Sequence, residues 1–155
     1  MARLGNAKFN DLKKFQEKLN KLNQDEIDLF IQSCAKELAA RLLAKVIKRT
    51  PVGEYPKSSG KKGGTLRRGW TAGKTSSATK YVSDLTIHHF GGTYVIEIVN
   101  PVNYASYVEF GHRTRNHKGW VQGRFMLTIS EQEIEAAAPK ILERKLEKKL
   151  GEVFK

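Results

Sequence analysis

The run VSDLTIHHFGGTYVIEIVN, residues 82–100, decides how this chain folds. Two segments rich in β-branched and aromatic residues flank Gly91-Gly92. Two glycines between such segments signal a tight hairpin, because a two-residue turn of the favoured hand needs φ > 0 at its central positions. Pairing about that turn sets Asp84 opposite Val99, and Pro101 closes the second strand. Helical patterns lie on both sides of the hairpin. The order helices, strands, helix predicts an α+β fold: long N-terminal helices packed on a small antiparallel sheet, with a C-terminal helix.

Upstream, Leu12, Phe15, Leu19 and Leu22 recur at spacings of three and four and predict a short amphipathic helix over 10–22. Asn23, with Glu26 three residues on, opens a longer helix. Its apolar stripe is Ile27, Phe30, Ile31, Cys34, Leu38, Leu42, Val46 and Ile47, and Lys45, Lys48 and Arg49 suit the negative end of its dipole. Pro51 stops it. Residues 51–80 are rich in Gly, Ser, Lys and Pro and read as a flexible basic loop, with TLRRGWT as a short strand anchored by Leu66 and Trp70.

Downstream, Tyr104–Phe110 predicts two helical turns, with Gly111 as a C-cap at positive φ. GHRTRNHKGW reads as a polar, basic loop. A final helical region reads from about Arg124 to the last residues, and within it Ser130 with Glu133 forms a capping box that predicts a helix start there. Pro139 either kinks that helix or opens a new one, and Ile141, Leu142, Leu146, Leu150 and Val153 make its apolar stripe.

At 155 residues the chain fits one domain spanning 1–155. No apolar run approaches the roughly 18 residues of a membrane span, and the first residues lack the apolar core of a signal peptide. The lone Cys34 excludes an internal disulfide and predicts a reduced, half-buried thiol. The net charge is +12, and residues 51–80 carry seven basic side chains against one acid. Such a local excess suits a polyanion, an acidic protein surface or a solvated loop.

Catalytic patterns are absent. No phosphate-binding glycine loop, dinucleotide fingerprint or nucleophile elbow occurs. His88 and His89 are neighbours on a strand and point to opposite faces, while His112 and His117 sit among Arg113, Arg115 and Lys118, which disfavour a cation. Asp84 and Glu97 lie diagonally across the hairpin and read as solvent-face charges, and Glu109 reads as the partner of a nearby arginine. No catalytic residue, metal site or cofactor is expected.

Three segments, in order, resemble one family. TPVGEYP with GGTLRRGWT (50–56 and 63–71), NPVNYASYVEFGHRTR (100–115) and GRFMLTISEQEIE (123–135) resemble stretches of the tail-completion, or head–tail joining, proteins of long-tailed bacteriophages. The likeness covers about residues 24–150. The chain departs from the pattern by a PKSSGKK insertion in the first loop and by GHRTRNHKGWVQG in place of a shorter turn.

The resemblance implies a non-enzymatic structural protein of the neck of a virion, or of a prophage-derived tail-like particle, made in the host bacterial cytoplasm. It implies a six-fold ring of copies at the head-proximal end of the tail. Its partners would be the tail-tube or tail-terminator protein and the head connector, with transient contact to genomic DNA and none to a membrane. On this reading Lys57, Lys61, Lys62, Arg67 and Arg68 form a partner- or DNA-facing basic loop, mobile in a free subunit. Trp70, Tyr104, Tyr107, Glu109, Arg113, Arg115 and Trp120 are the candidates for subunit contact, with the two tyrosines equally suited to sealing the local core. The alternative is a basic nucleic-acid-binding module without catalytic activity. A nuclease or toxin-type enzyme ranks last, for want of a carboxylate cluster.

Overall fold

The computed structural model describes Glu17 and residues 22–155. The helix expected over 10–22 falls almost entirely outside the described residues. The long helix α1 spans Gln24–Arg49. The side chain of Asn23 caps it by accepting a hydrogen bond from the Glu26 N–H at 2.8 Å, and Asp25 and Glu26 sit at its positive end. Its core-facing residues concentrate in the last turns, where Leu43 and Val46 are fully buried. Ile27 and Ile31, at the other end of the expected stripe, stay exposed.

At the C-terminal end of α1, Thr50 organises the segment that follows. Its hydroxyl donates to the Val46 carbonyl at 2.7 Å and accepts from the Trp70 indole N–H at 2.8 Å. Its own carbonyl accepts two hydrogen bonds from the Arg67 guanidinium, at 2.7 and 3.1 Å. The TLRRG run is therefore a one-turn helix, α2 (Thr65–Gly69), and not the expected strand. A helical turn stacks Leu66 and Trp70 on one inward face and still turns Arg67 toward Thr50.

A second short helix, α3 (Ala78–Ser83), is capped by the Ser77 hydroxyl and lies against α1, where Lys36 Nζ donates to the Ser83 carbonyl at 2.6 Å. Residues 82 and 83 thus belong to a helix and not to the first strand. The basic segment 51–80 contains α2, the first three residues of α3 and a 3-10 turn at Lys57–Ser59 rather than being wholly irregular. Leu66, Trp70 and Val82 join Leu43, Val46 and Met126 in one buried cluster.

The hairpin forms at the expected place. β1 (His88–Phe90) pairs with β2 (Thr93–Val95) in the register that sets His88 opposite Val95, the same frame as Asp84 opposite Val99. The ladder stops after three pairs. The Tyr94 hydroxyl donates to Asp28 at 2.8 Å and ties the hairpin to α1. That bond lowers the carboxyl pKa of Asp28 and raises that of the Tyr94 phenol.

Helix α4 (Ala105–Phe110) runs into a second hairpin, β3 (Gly111–Arg113) with β4 (Trp120–Gln122), where a loop was expected. The last helix, α5, is continuous from Met126 to Val153, and Pro139 lies inside it on an exposed side. It starts one turn before the expected capping box. Ser130 is buried in its interior, donating to the Met126 carbonyl at 2.6 Å.

Helices α1 and α5 pack antiparallel through polar links. Lys45 and Arg49 both reach Glu133 at 2.7 Å, Arg49 also donates to Ser130 at 2.6 Å, and Lys145 pairs with Glu37 at 2.9 Å. These cations lower the carboxyl pKa values of Glu37 and Glu133. Cys34 is a free thiol at intermediate exposure, with its pKa raised by burial.

Candidate assembly surface

Helix α4 and the β3–β4 hairpin carry large side chains outward. Tyr107 and Phe110 are 57% and 61% exposed, and Trp120 is 59% exposed, with Tyr104 and Val121 also at the surface. The ring of Tyr107 lies tilted against His112 with centroids 5.8 Å apart. Arg113, Arg115 and Lys118 are exposed around the hairpin tip, and none of them forms an ion pair among the described residues. Exposed aromatic side chains beside unpaired arginines are the composition enriched in protein–protein contacts.

The backbone under this surface is fixed by close approach. Gly111 ends α4 at φ 85°, as the sequence predicts. A side chain there would run into the Val121 carbonyl, and one at Gly123 would meet the Glu109 carbonyl. Only glycine allows the strands to meet α4 at this distance. The tip is closed by its own bonds: Thr114 N–H to the Gly119 carbonyl at 2.9 Å, His117 N–H to the Thr114 carbonyl at 2.8 Å, and Lys118 N–H to the Asn116 side chain at 3.2 Å.

The three segments that carry the family resemblance are hydrogen-bonded in series. Within the first, Thr50 holds Arg67 and Trp70. The Asn100 amide donates to the Leu66 carbonyl at 2.8 Å and joins the first segment to the second. The Glu109 carboxylate joins the second to the third. It accepts from the N–H groups of Leu127 and Thr128, both at 2.9 Å, and from the Thr128 hydroxyl at 2.8 Å. This explains why α5 begins early: its first N–H groups find their acceptor on α4 and not in a local capping box.

Several candidates move to structural roles. Trp70 is only 4% exposed and belongs to the core, so it has no face for a neighbouring subunit. Glu109 is 6% exposed and bonds to a helix terminus, not to an arginine. Arg67 is anchored on Thr50, and Arg68 donates to the Gly63 carbonyl at 3.1 Å. Lys57 and Lys62 project into solvent, and the exposed Lys61 has its Nζ over the Tyr55 ring, 6.0 Å from the centroid. Tyr104, Tyr107, Arg113, Arg115 and Trp120 share the outward region around α4 and the second hairpin. Phe110 is exposed beside them and Val121 is exposed on the other face of the hairpin, and no pattern in the sequence marks either. Phe110 follows Glu109 in YVEFG and carried no periodic signal of its own, whereas the alternation of Trp120, Val121 and Gln122 is too short to mark a strand.

Among the described residues no helix is long and apolar enough to cross a membrane, and no group of three or more His, Cys, Asp or Glu is placed to hold a metal ion. A family model for HK97-gp10-like bacteriophage tail-component proteins matches residues 13–111, more than half of the chain. The chain belongs to this family. No curated protein and no solved structure matches it. As an HK97-gp10-like protein it is a structural tail component of a phage particle. The match ends at Gly111 and so takes in the first resembling segment and most of the second. The third, at the start of α5, lies beyond the match but is bound to it through Glu109.

Proposed function

We propose that this HK97-gp10-like protein assembles as a ring, six-fold to match the tail, at the head-proximal end of the tail and joins it to the head connector. The observation that carries this reading is the exposure of Phe110 and Trp120 on a helix and hairpin that Gly111 and Gly123 let pack backbone against backbone. Large apolar side chains on a fixed scaffold lose little entropy on association, and a monomer gains nothing by displaying them together. The exposed Lys57, Lys61 and Lys62 would face the tail-tube or connector side, where acidic protein surfaces or the passing genome offset their repulsion.

Electron microscopy and mass measurement of the purified protein test this reading, together with tails assembled without it. Rings, and tails that join heads only after the protein is added back, are the expected result. A protein that stays monomeric at every concentration, with tails that join heads in its absence, would overturn it.

A further inference from the structure

A groove runs between the first hairpin and the opening turns of α5. Leu42, Phe90, Val95, Ile96, Ile98 and Leu127 line it, together with His88, Glu97 and Glu131. Phe90 is exposed, and neither glutamate forms an ion pair among the described residues.

The chain from Thr93 to Asn100 alternates between exposed and half-buried positions, as a strand lying on a core does. Yet the ladder ends at Val95, and residues 96–99 make no backbone–backbone hydrogen bond among the described residues. The groove therefore includes an unfilled strand edge, with apolar walls and an acidic rim. Such an edge takes up an extended segment from another chain.

The second hairpin has the opposite character. It projects Trp120 and Val121 with Arg113 and Arg115, neither arginine being in an ion pair among the described residues. We propose that the β3–β4 hairpin of one copy seats in this groove of the next. Trp120 on one face of the hairpin and Val121 on the other cover the apolar walls to either side, and Arg113 and Arg115 meet Glu97 and Glu131. This inference rests on the self-assembly reading above and names the surfaces that would carry it.

Two different patches meet in this contact, so it is head-to-tail and closes a ring once the rotation per subunit is right. Self-pairing of the open edge about its own centre would instead set Glu97 opposite Ile98 and leave both glutamates without a cation. Within one chain the Glu109 carboxylate on α4, at the root of the hairpin, bonds to the N–H of Leu127 in the groove wall. The two patches are therefore held at a fixed angle, as a closed ring requires.

Charge reversal tests the pairing in the full-length protein, with mass read by light scattering and folding by circular dichroism. Glu97→Lys with Glu131→Lys reverses the groove, and Arg113→Glu with Arg115→Glu reverses the hairpin. Each variant alone should need about tenfold or more protein for half-assembly. An equimolar mixture should recover assembly, because each hairpin then finds a groove of opposite charge on the other variant. Single variants that assemble like the parent, or a mixture of folded variants that stays dissociated, would overturn this pairing and leave the ring reading standing. A parent protein that never assembles removes both. Should a reversal unfold the chain, Val95→Cys with Val121→Cys in a Cys34→Ser background gives a second readout. Oxidative cross-links between copies support the contact, and assembled protein without them overturns it.

Discussion

The Glu109 carboxylate, on α4, accepts hydrogen bonds from both the backbone N–H and the hydroxyl of Thr128, 19 residues further along the chain. Together with the bond from Leu127 N–H, this makes a side chain from another element the N-terminal cap of α5. Glu109→Ala leaves those donors without an acceptor in a buried setting. We expect a loss of about 2 kcal/mol by thermal or denaturant unfolding. Glu109→Gln keeps an amide oxygen and should lose roughly half as much. Equal stability of the alanine variant and the parent would show that the cap is not needed.

Gly111 combines positive φ with a wall formed by the Val121 carbonyl. Gly111→Val should destabilise by about 2 kcal/mol or more, since both strain and overlap oppose the new side chain. The loss should appear as a lower melting temperature, and the aromatic surface around Trp120 should lose its order with it.

The two tryptophans should separate cleanly. Trp70→Phe keeps the core ring but loses the N–H to Thr50, which is worth about 1 kcal/mol. Trp70→Ala should cost about 3–5 kcal/mol. Trp120→Ala, at an exposed site, should change folding stability by less than about 0.5 kcal/mol, while weakening self-association measured by sedimentation.

The basic segment divides in the same way. Neutralising Lys57, Lys61 and Lys62 should leave unfolding unchanged and weaken joining of tails to heads in a reconstitution assay. Arg67→Ala should instead destabilise the fold by about 1–2 kcal/mol, because the Thr50 carbonyl loses two charge-assisted bonds. A joining defect confined to Arg67 would place the function of this segment in the core and not on its surface.

Acid should loosen the packing of α1 on α5. Glu37 and Glu133 have folded-state pKa values lowered by Lys145 with Arg41 and by Lys45 with Arg49. Their contribution is full above the ordinary glutamate range and is lost as pH falls through the lowered values. All these groups are near the surface, so the change is small and salt-dependent. A denaturation midpoint that is flat with pH across this acidic range, at low salt, would count against it.

By itself the sequence determined the long helix α1, the position and register of the first hairpin, helix α4 with its glycine cap, and the outward basic lysines. Each depends on neighbours within a few positions: an Asn–Glu cap, a Gly-Gly turn, a breaker at Gly111. The family resemblance was legible for the same reason, since its motifs are short runs.

Tertiary structure decided the rest, because the deciding partners lie far along the chain. TLRRG became helical once Thr50 held Arg67 and Trp70, 17 and 20 residues away. Helix α5 began at Met126 because Glu109 caps it from 18 and 19 residues upstream, so the local Ser130–Glu133 box went unused. Ser130 and Glu133 instead face Arg49, more than 80 residues distant. Which aromatic residues face outward was settled in the same way. Trp70 and Trp120 both stand in polar, glycine-containing stretches, but only Trp70 has Thr50 and a cluster of buried side chains to receive it.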